Sequence, residues 1–174
     1  LGAEFVEVDI KNAVNVHFSD IGQDDSVHDV TYENSQARER TQILMDIANK
    51  KNALVIGTGD LSELALGWAT YNGDHMSMYA VNACVPKTLV RHLVRYYADT
   101  CGDDLLAKTL LDVLDTPVSP ELLPPEDGKI SQKTEDLVGP YELHDFFLYY
   151  MLRFGFAPAK IYRLAQIAFR DTYE

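Results

Sequence analysis

The sequence predicts an α/β fold, with a parallel sheet followed by a helix-rich carboxyl-terminal part. Residues 4–10 alternate apolar and acidic side chains, and the apolar run 53–57 ends in glycine, which is typical of a strand buried on both faces. A helical pattern over 31–50 separates them, giving the β-α-β signature. Because a covered parallel sheet usually needs about four to six strands, we expect its other strands to lie elsewhere in a longer chain or in a partner.

Hydrophobic periodicity and the positions of proline and glycine predict the remaining elements in chain order. Residues 15–29 lack a regular period and are rich in Asp and Ser, which predicts a loop with little more than a helical turn. Residues 116–133 contain four prolines and a glycine, which predicts a long loop of the kind that is usually functional or disordered. Further helices are predicted over 61–71, from Pro86 onward, and over 103–114, 141–154 and 158–172.

The amino-acid composition limits the kinds of function that the chain can have. A chain of 174 residues with 47% hydrophobic side chains can form one ordinary domain with a core. Its formal net charge of −12 argues against a general nucleic-acid or membrane-surface role. No apolar run reaches membrane-spanning length, so a soluble cytoplasmic protein is expected. Cys84 and Cys101 have neither zinc-ligand nor disulfide-framework spacing.

The segment after the apolar strand is a candidate anion site. Glycines around Thr58 would let a ligand approach the backbone, and the next helix points free N–H groups at it. A tight strand-to-helix turn explains the same pattern. Glu63 follows Asp60 at capping-box spacing. A carboxylate for Mg²⁺ or for a substrate hydroxyl is its alternative role.

Two groups of donors are candidate ligand-binding residues. Lys87 lies in the first turn of a predicted helix, where the helix dipole opposes a cation by roughly 0.3–1 kcal/mol. A nearby anion would offset that cost. Arg91 and Arg95 continue the same stripe, so a solvated helix face is the alternative. Asn34 and Arg38 form a similar pair, which neighbouring glutamates could simply neutralise.

Taken together, several segments resemble the NAD⁺ synthetase family, in particular the synthetase half of its long, glutamine-dependent form. They are, in chain order, ENSQARER at 33–40, GTGDLSELALGWATY at 57–71, VPKTL at 85–89, SPEL at 119–122, QKTEDL at 132–137 and GPYE at 139–142. The resemblance implies an adenine-nucleotide α-hydrolase-like (Rossmann-like) fold. It also implies that residues 1–174 are a fragment of the ATP pyrophosphatase domain, without the upstream pyrophosphate loop and the glutaminase domain.

The activity implied by the resemblance is that of a carbon–nitrogen ligase of NAD biosynthesis. ATP would adenylate the nicotinate carboxylate of deamido-NAD⁺ with release of pyrophosphate, and ammonia from a glutaminase domain would then displace AMP to give NAD⁺. Mg²⁺ and cations would stabilise the developing pyrophosphate. The family also implies a cytoplasmic homo-oligomer. The fragment by itself is expected to be inactive.

The resemblance further implies roles for particular residues. Lys87 looks like the lysine that binds the ATP phosphates, and it is the expected catalytic residue. Thr58 and Ser119 look like further ATP-binding residues, and Glu63 matches a glutamate assigned to Mg²⁺ or to deamido-NAD⁺. The residues that match deamido-NAD⁺ contacts are Asn34, Arg38, Glu63, Trp68, Thr70 and Tyr71. We expect all of them to converge around one cleft.

Two alternatives remain open from the sequence. The aromatic helix that carries Phe146, Phe147, Tyr149 and Tyr150 has more apolar surface than one stripe requires, which is typical of a non-catalytic assembly module. Another ligase of the ATP-pyrophosphatase group, such as a GMP synthetase, is the second alternative. The segment from Trp68 argues against it.

Overall fold

The computed structural model describes residues 3–73, 75–116 and 134–173. These residues form two compact units, with 3–59, 68–73 and 75–81 in unit 1 and 60–67, 82–116 and 134–173 in unit 2. The helices are α1 Lys11–Ile21, α2 Val30–Lys51, α3 Leu61–Leu66, α4 Lys87–Thr100, α5 Asp104–Asp115, α6 Thr134–Val138, α7 Tyr141–Phe154 and α8 Pro158–Ala168. The strands are β1 Ile56–Gly57 and β2 Tyr79–Ala80.

Helix α2 organises unit 1 and confirms the helix predicted over 31–50. Its start is fixed by Asp29, whose carboxylate accepts hydrogen bonds from Thr31 N at 2.9 Å and Tyr32 N at 3.0 Å. Helix α1 packs against it, with the rings of Phe18 and Tyr32 5.5 Å apart. The loop predicted over 15–29 is therefore wrong for its first half, because Val14 and Phe18 form a short buried stripe that the surrounding polar residues obscured.

The sheet is smaller and more exposed than the sequence predicts. Strands β1 and β2 pair in parallel, with Ile56 opposite Tyr79. The parallel strand after α2 is confirmed, but its burial on both faces is wrong, since the Leu54 and Ile56 side chains are more than half exposed. The described residues contribute two strands to this sheet and no layer that covers both of its faces.

Residues 4–10 do not form the predicted strand. The Phe5 side chain is 85% exposed, and the segment leads directly into α1. Alternating side chains satisfy only one requirement of a strand, because its backbone groups also need a neighbouring strand. No described segment pairs with these residues.

Unit 2 consists of helices. The predicted helices α5 and α7 are confirmed within a residue of their ends, and α4 begins one residue after the predicted start and packs chiefly against α5. Helix α3 stops at Leu66 instead of 71 because Gly67 takes the left-handed conformation, at φ 67°. Helix α8 ends earlier than predicted, and α6 was not predicted. Residues 117–133, which include most of the predicted long loop, lie outside the described residues.

Within the described residues, no helix combines the length and hydropathy needed to cross a bilayer.

Candidate functional site

Lys87 lies at the centre of a compact cluster in unit 2. Its Nζ is 2.8 Å from Asp60 Oδ2 and 2.7 Å from Glu63 Oε1, and the lysine side chain is only 13% exposed. We call these three residues the Lys87 cluster. Pro86 precedes the first residue of α4, so the lysine is carried on the first turn of that helix. This placement rules out the solvated-face interpretation of Lys87.

The two carboxylates are held in place by the start of α3. Asp60 accepts a hydrogen bond from Glu63 N at 3.0 Å, and Glu63 Oε2 accepts one from Asp60 N at 3.1 Å. This reciprocal pair is a capping box, which confirms the structural interpretation of the spacing. It also aims both side chains at Lys87, so the cap and the ion pairs use the same two residues.

The cluster keeps Lys87 charged. Burial of the ammonium acts to lower the pKa of Lys87, but hydrogen bonds to Asp60 and Glu63 and their negative charges outweigh it, and the pKa lies above its ordinary value. Lys87 is therefore an ammonium at any physiological pH. It can attract and orient an anion, and it cannot act as a general base.

A second, buried network fixes the backbone that carries Lys87. Ser62 Oγ accepts a hydrogen bond from Lys87 N at 2.9 Å and donates its own proton to Asp145. The other oxygen of Asp145 accepts from Thr88 N at 2.8 Å and from Thr88 Oγ1 at 2.6 Å. Helix α4 has no capping side chain of its own, so Ser62 of α3 and Asp145 of α7 supply its N-terminal acceptors.

Tyr141 completes the surroundings of Lys87. Lys87 Nζ lies 5.1 Å from the centroid of its ring, within the range of a cation–π contact. Burial raises the pKa of the Tyr141 phenol. Its backbone N–H donates to Glu135 Oε1 at 3.0 Å. Ser62, Asp145 and Tyr141 are not among the site residues that the sequence predicts. The available signal for a buried carboxylate was the position of Asp145, directly before Phe146 and Phe147 in a helix rich in aromatic side chains.

Unit 1 brings together two of the predicted deamido-NAD⁺ residues. Arg38 Nε donates to the carbonyl oxygen of Tyr71 at 3.2 Å. One turn further along α2, Thr41 Oγ1 donates to the carbonyl oxygen of Gly73 at 2.9 Å. A Cβ on Gly73 would lie 2.8 Å from Ala37 Cβ, so glycine is required for the chain to approach α2 this closely.

The other predicted residues of unit 1 lie on α2, directly after β1, and in the segment that follows α3. Asn34 lies one turn before Arg38 on α2, and Thr58 directly follows β1. Trp68 is exposed, and Tyr71 is 71% exposed, so both rings are accessible. The carbonyl oxygen of Thr70 accepts a hydrogen bond from His75 Nδ1 at 2.9 Å, which orders this turn.

Ser119, the remaining predicted ATP contact, lies outside the described residues.

The residues around Glu63 do not fit a Mg²⁺ site. Both oxygens of its carboxylate are already used, one by Lys87 Nζ and one by Asp60 N. A cation bound to Glu63 Oε1 would therefore lie against the ammonium. The described ranges also contain no group of three or more His, Cys, Asp or Glu side chains that could hold a metal ion. The Mg²⁺ role of Glu63 implied by the resemblance is thus not supported by the arrangement of these residues.

Comparisons with known proteins assign the chain to a family. The sequence profile of the NAD synthase family matches residues 1–161. A glutamine-dependent NAD(+) synthetase from Mycobacterium leprae is 46% identical over 177 residues, covering 98% of this chain and 26% of that protein. The counterpart from Mycobacterium bovis is 47% identical, covering 99% of this chain and 26% of its own length. The chain therefore spans about a quarter of these relatives.

Solved structures support the same assignment. The chain is similar to a glutamine-dependent NAD+ synthetase from Acinetobacter baumannii in complex with ADP, with 28% identity and a TM-score of 0.53, over 89% of this chain and 26% of that one. An NMN synthetase from Francisella tularensis, at 23% identity and a TM-score of 0.64, covers 92% of this chain and 58% of its own and shows the shared fold. The predicted α/β fold class is thereby confirmed. The chain belongs to the NAD synthase family.

Proposed function

We propose that the protein that contains this chain makes NAD⁺ by ATP-dependent amidation of deamido-NAD⁺, with ammonia released from glutamine. Membership of the NAD synthase family and the high similarity to glutamine-dependent NAD(+) synthetases support this reaction. The single structural observation that carries it is the Lys87 cluster, which holds a permanently charged, mostly buried ammonium at the start of a helix. Such a preorganised cation suits a reaction in which negative charge develops on a phosphate group.

Lys87 would act on the ATP phosphates. Adenylation turns the nicotinate carboxylate, a poor electrophile, into a mixed anhydride that ammonia can attack, and negative charge grows on the departing pyrophosphate. With one ammonium and two carboxylates the Lys87 cluster carries a net charge of −1. A phosphate would therefore bind Nζ either in place of one carboxylate or through the third N–H of the ammonium. Thr58 and Ser119 are proposed as further ATP contacts from their positions in the family motifs.

Deamido-NAD⁺ is proposed to bind through residues of α2 and the segment after α3. The exposed guanidinium of Arg38 suits a phosphate or carboxylate, and the accessible rings of Trp68 and Tyr71 suit stacking on a nucleobase or on the nicotinate. Asn34 and Thr70 are proposed as polar contacts to the same substrate. Glu63 is proposed to contact it through its carboxylate.

The direct test is an assay of the complete protein as its gene encodes it. We expect NAD⁺, AMP and pyrophosphate in equal amounts from deamido-NAD⁺, MgATP and either glutamine or ammonia. The isolated 174-residue segment is expected to form NAD⁺ at a negligible rate. Folded, complete protein that forms no NAD⁺ with either nitrogen donor would contradict the proposed function.

Assembly with a second copy of the chain is a second candidate function of unit 2. Helix α7 and the residues after it carry a cluster of rings, in which Tyr149 and Phe154 lie 5.4 Å apart and are each more than half exposed. Exposed aromatic groups of this kind favour an interface. Sedimentation equilibrium of the complete protein tests this, because Tyr149→Ser should shift a dimer toward the monomer. A dimer that is unchanged by this substitution contradicts it.

A further inference from the structure

The Tyr141 hydroxyl forms no hydrogen bond with any of the residues that the structure describes. The residue is only 3% exposed, and among the described residues its hydroxyl oxygen is the one buried side-chain polar atom that lacks such a partner. Native proteins leave few buried polar groups unsatisfied, and those few often lie at functional sites. The Tyr141 hydroxyl therefore needs an explanation of its own.

Without a partner, the hydroxyl adds no hydrogen bond to the packing around Lys87. The ring fills space beside Lys87, and a phenylalanine ring would make the same packing and the same cation–π contact. A buried hydroxyl without a partner is a destabilising feature, because it has lost its hydrogen bonds to water. A group that binds there would give the oxygen a benefit, because it would supply the missing hydrogen bond.

The surroundings of the hydroxyl indicate the kind of group. Burial and the nearby carboxylates of Glu63, Asp60 and Glu135 raise the pKa of the Tyr141 phenol, although the charge of Lys87 acts in the opposite direction. The phenol therefore keeps its proton at neutral pH and is available as a donor. A phenolic donor beside a fixed ammonium is suited to an anionic oxygen, since both groups then bind the same charge.

We propose that Tyr141 contacts the ligand, and that its hydroxyl donates a hydrogen bond to an anionic oxygen of the group that Lys87 binds. The identity of that group rests on the proposed function, under which it is a phosphate of ATP. The orphaned hydroxyl and the position of its ring next to Lys87 do not depend on that function.

Tyr141→Phe in the complete protein tests this inference. The substitution keeps the ring and removes only the oxygen, so we expect a thermal midpoint equal to or above that of the wild type. We expect kcat/KM for ATP to fall about 10-fold or more, the effect of losing a hydrogen bond to a charged group. Tyr162→Phe, the same deletion at an exposed position of unit 2, is the matched control and should change neither quantity.

A parallel measurement of ATP affinity by calorimetry separates the two proposals. If no variant forms NAD⁺ but Tyr141→Phe still weakens ATP binding relative to Tyr162→Phe, the proposed function fails and the ligand contact stands. If the wild type is an active synthase and Tyr141→Phe matches it in kcat/KM and in ATP affinity, the inference is overturned. A lower thermal midpoint with unchanged kinetics also overturns it, because the hydroxyl would then bond to water or to another part of the chain.

Discussion

The two candidate sites differ in how their functional groups are held. In unit 2, three helices contribute to the Lys87 cluster and its backbone, and its ion pairs are largely buried. In unit 1, the exposed guanidinium of Arg38 is oriented by a hydrogen bond to a backbone carbonyl. A rigid, buried cation suits charge stabilisation in a transition state, whereas an accessible surface suits substrate binding. Substitution of Lys87 should therefore affect turnover, and substitution of Arg38 should affect substrate affinity.

The largest effect is expected for Lys87→Ala. Removal of the ammonium should lower kcat of the complete protein by about 10²–10³-fold, the range seen when one group that stabilises developing charge is deleted. Arg95→Ala, an exposed cation two turns along α4, is the control. Because the substitution leaves two carboxylates without their partner, the thermal midpoint must be compared as well. A folded Lys87→Ala protein with near-normal kcat would remove the distinction between the two sites.

Asp145→Ala should cause the largest loss of stability. It removes the acceptor for three donors, Ser62 Oγ, Thr88 N and Thr88 Oγ1, in a buried place. We expect the free energy of unfolding to fall by about 2–4 kcal/mol, measured by urea denaturation. Glu142→Ala removes an exposed carboxylate from the same helix and should cost less than about 1 kcal/mol. Equal losses in the two variants would show that unit 2 does not depend on the buried network.

Arg38→Ala should change substrate binding more than turnover. We expect KM for deamido-NAD⁺ to rise about 10-fold while kcat stays within about 2-fold, because an exposed binding contact acts on the ground state and the transition state alike. The thermal midpoint should change little, because the hydrogen bond that is lost, to the Tyr71 carbonyl oxygen, is exposed. Lys50→Ala, at the other end of α2, is the control. A fall in kcat with an unchanged KM would place Arg38 with the chemical step.

The smallest effect is the pH dependence of the Lys87 contribution to stability. The pKa of Lys87 in the folded state lies above the ordinary value of 10.5, so its ion pairs stabilise the protein fully below that pH and lose their effect as the pH rises through the folded-state pKa. Urea unfolding of the wild type and Lys87→Met should therefore differ most near pH 8, and the difference should shrink above about pH 10.5. A difference that stays constant to pH 11.5 would contradict the ion pairs.

The elements that the sequence predicted well are those with local causes. Helix α7 begins and ends where periodicity placed it, and α2 begins beside Asp29, whose side chain caps it. The predicted strand over 4–10 and the two-sided burial of 53–57 were wrong, because both depend on neighbouring strands or layers that local sequence does not specify. Only distant contacts decide such features.

The candidate site also combines features that local sequence determines with features that only distant contacts determine. The sequence alone predicted that Lys87 lies in the first turn of a helix, that a nearby anion would offset the cost of that position, and that Asp60 and Glu63 have the spacing of a cap. The tertiary structure decided that the carboxylates of Asp60 and Glu63 are the anions next to Lys87. It also placed Asp145 and Tyr141 beside the start of α4, more than 50 residues away along the chain. Periodicity reports only which face of a helix is apolar, whereas the partner of a buried charge is chosen by the packing of whole helices.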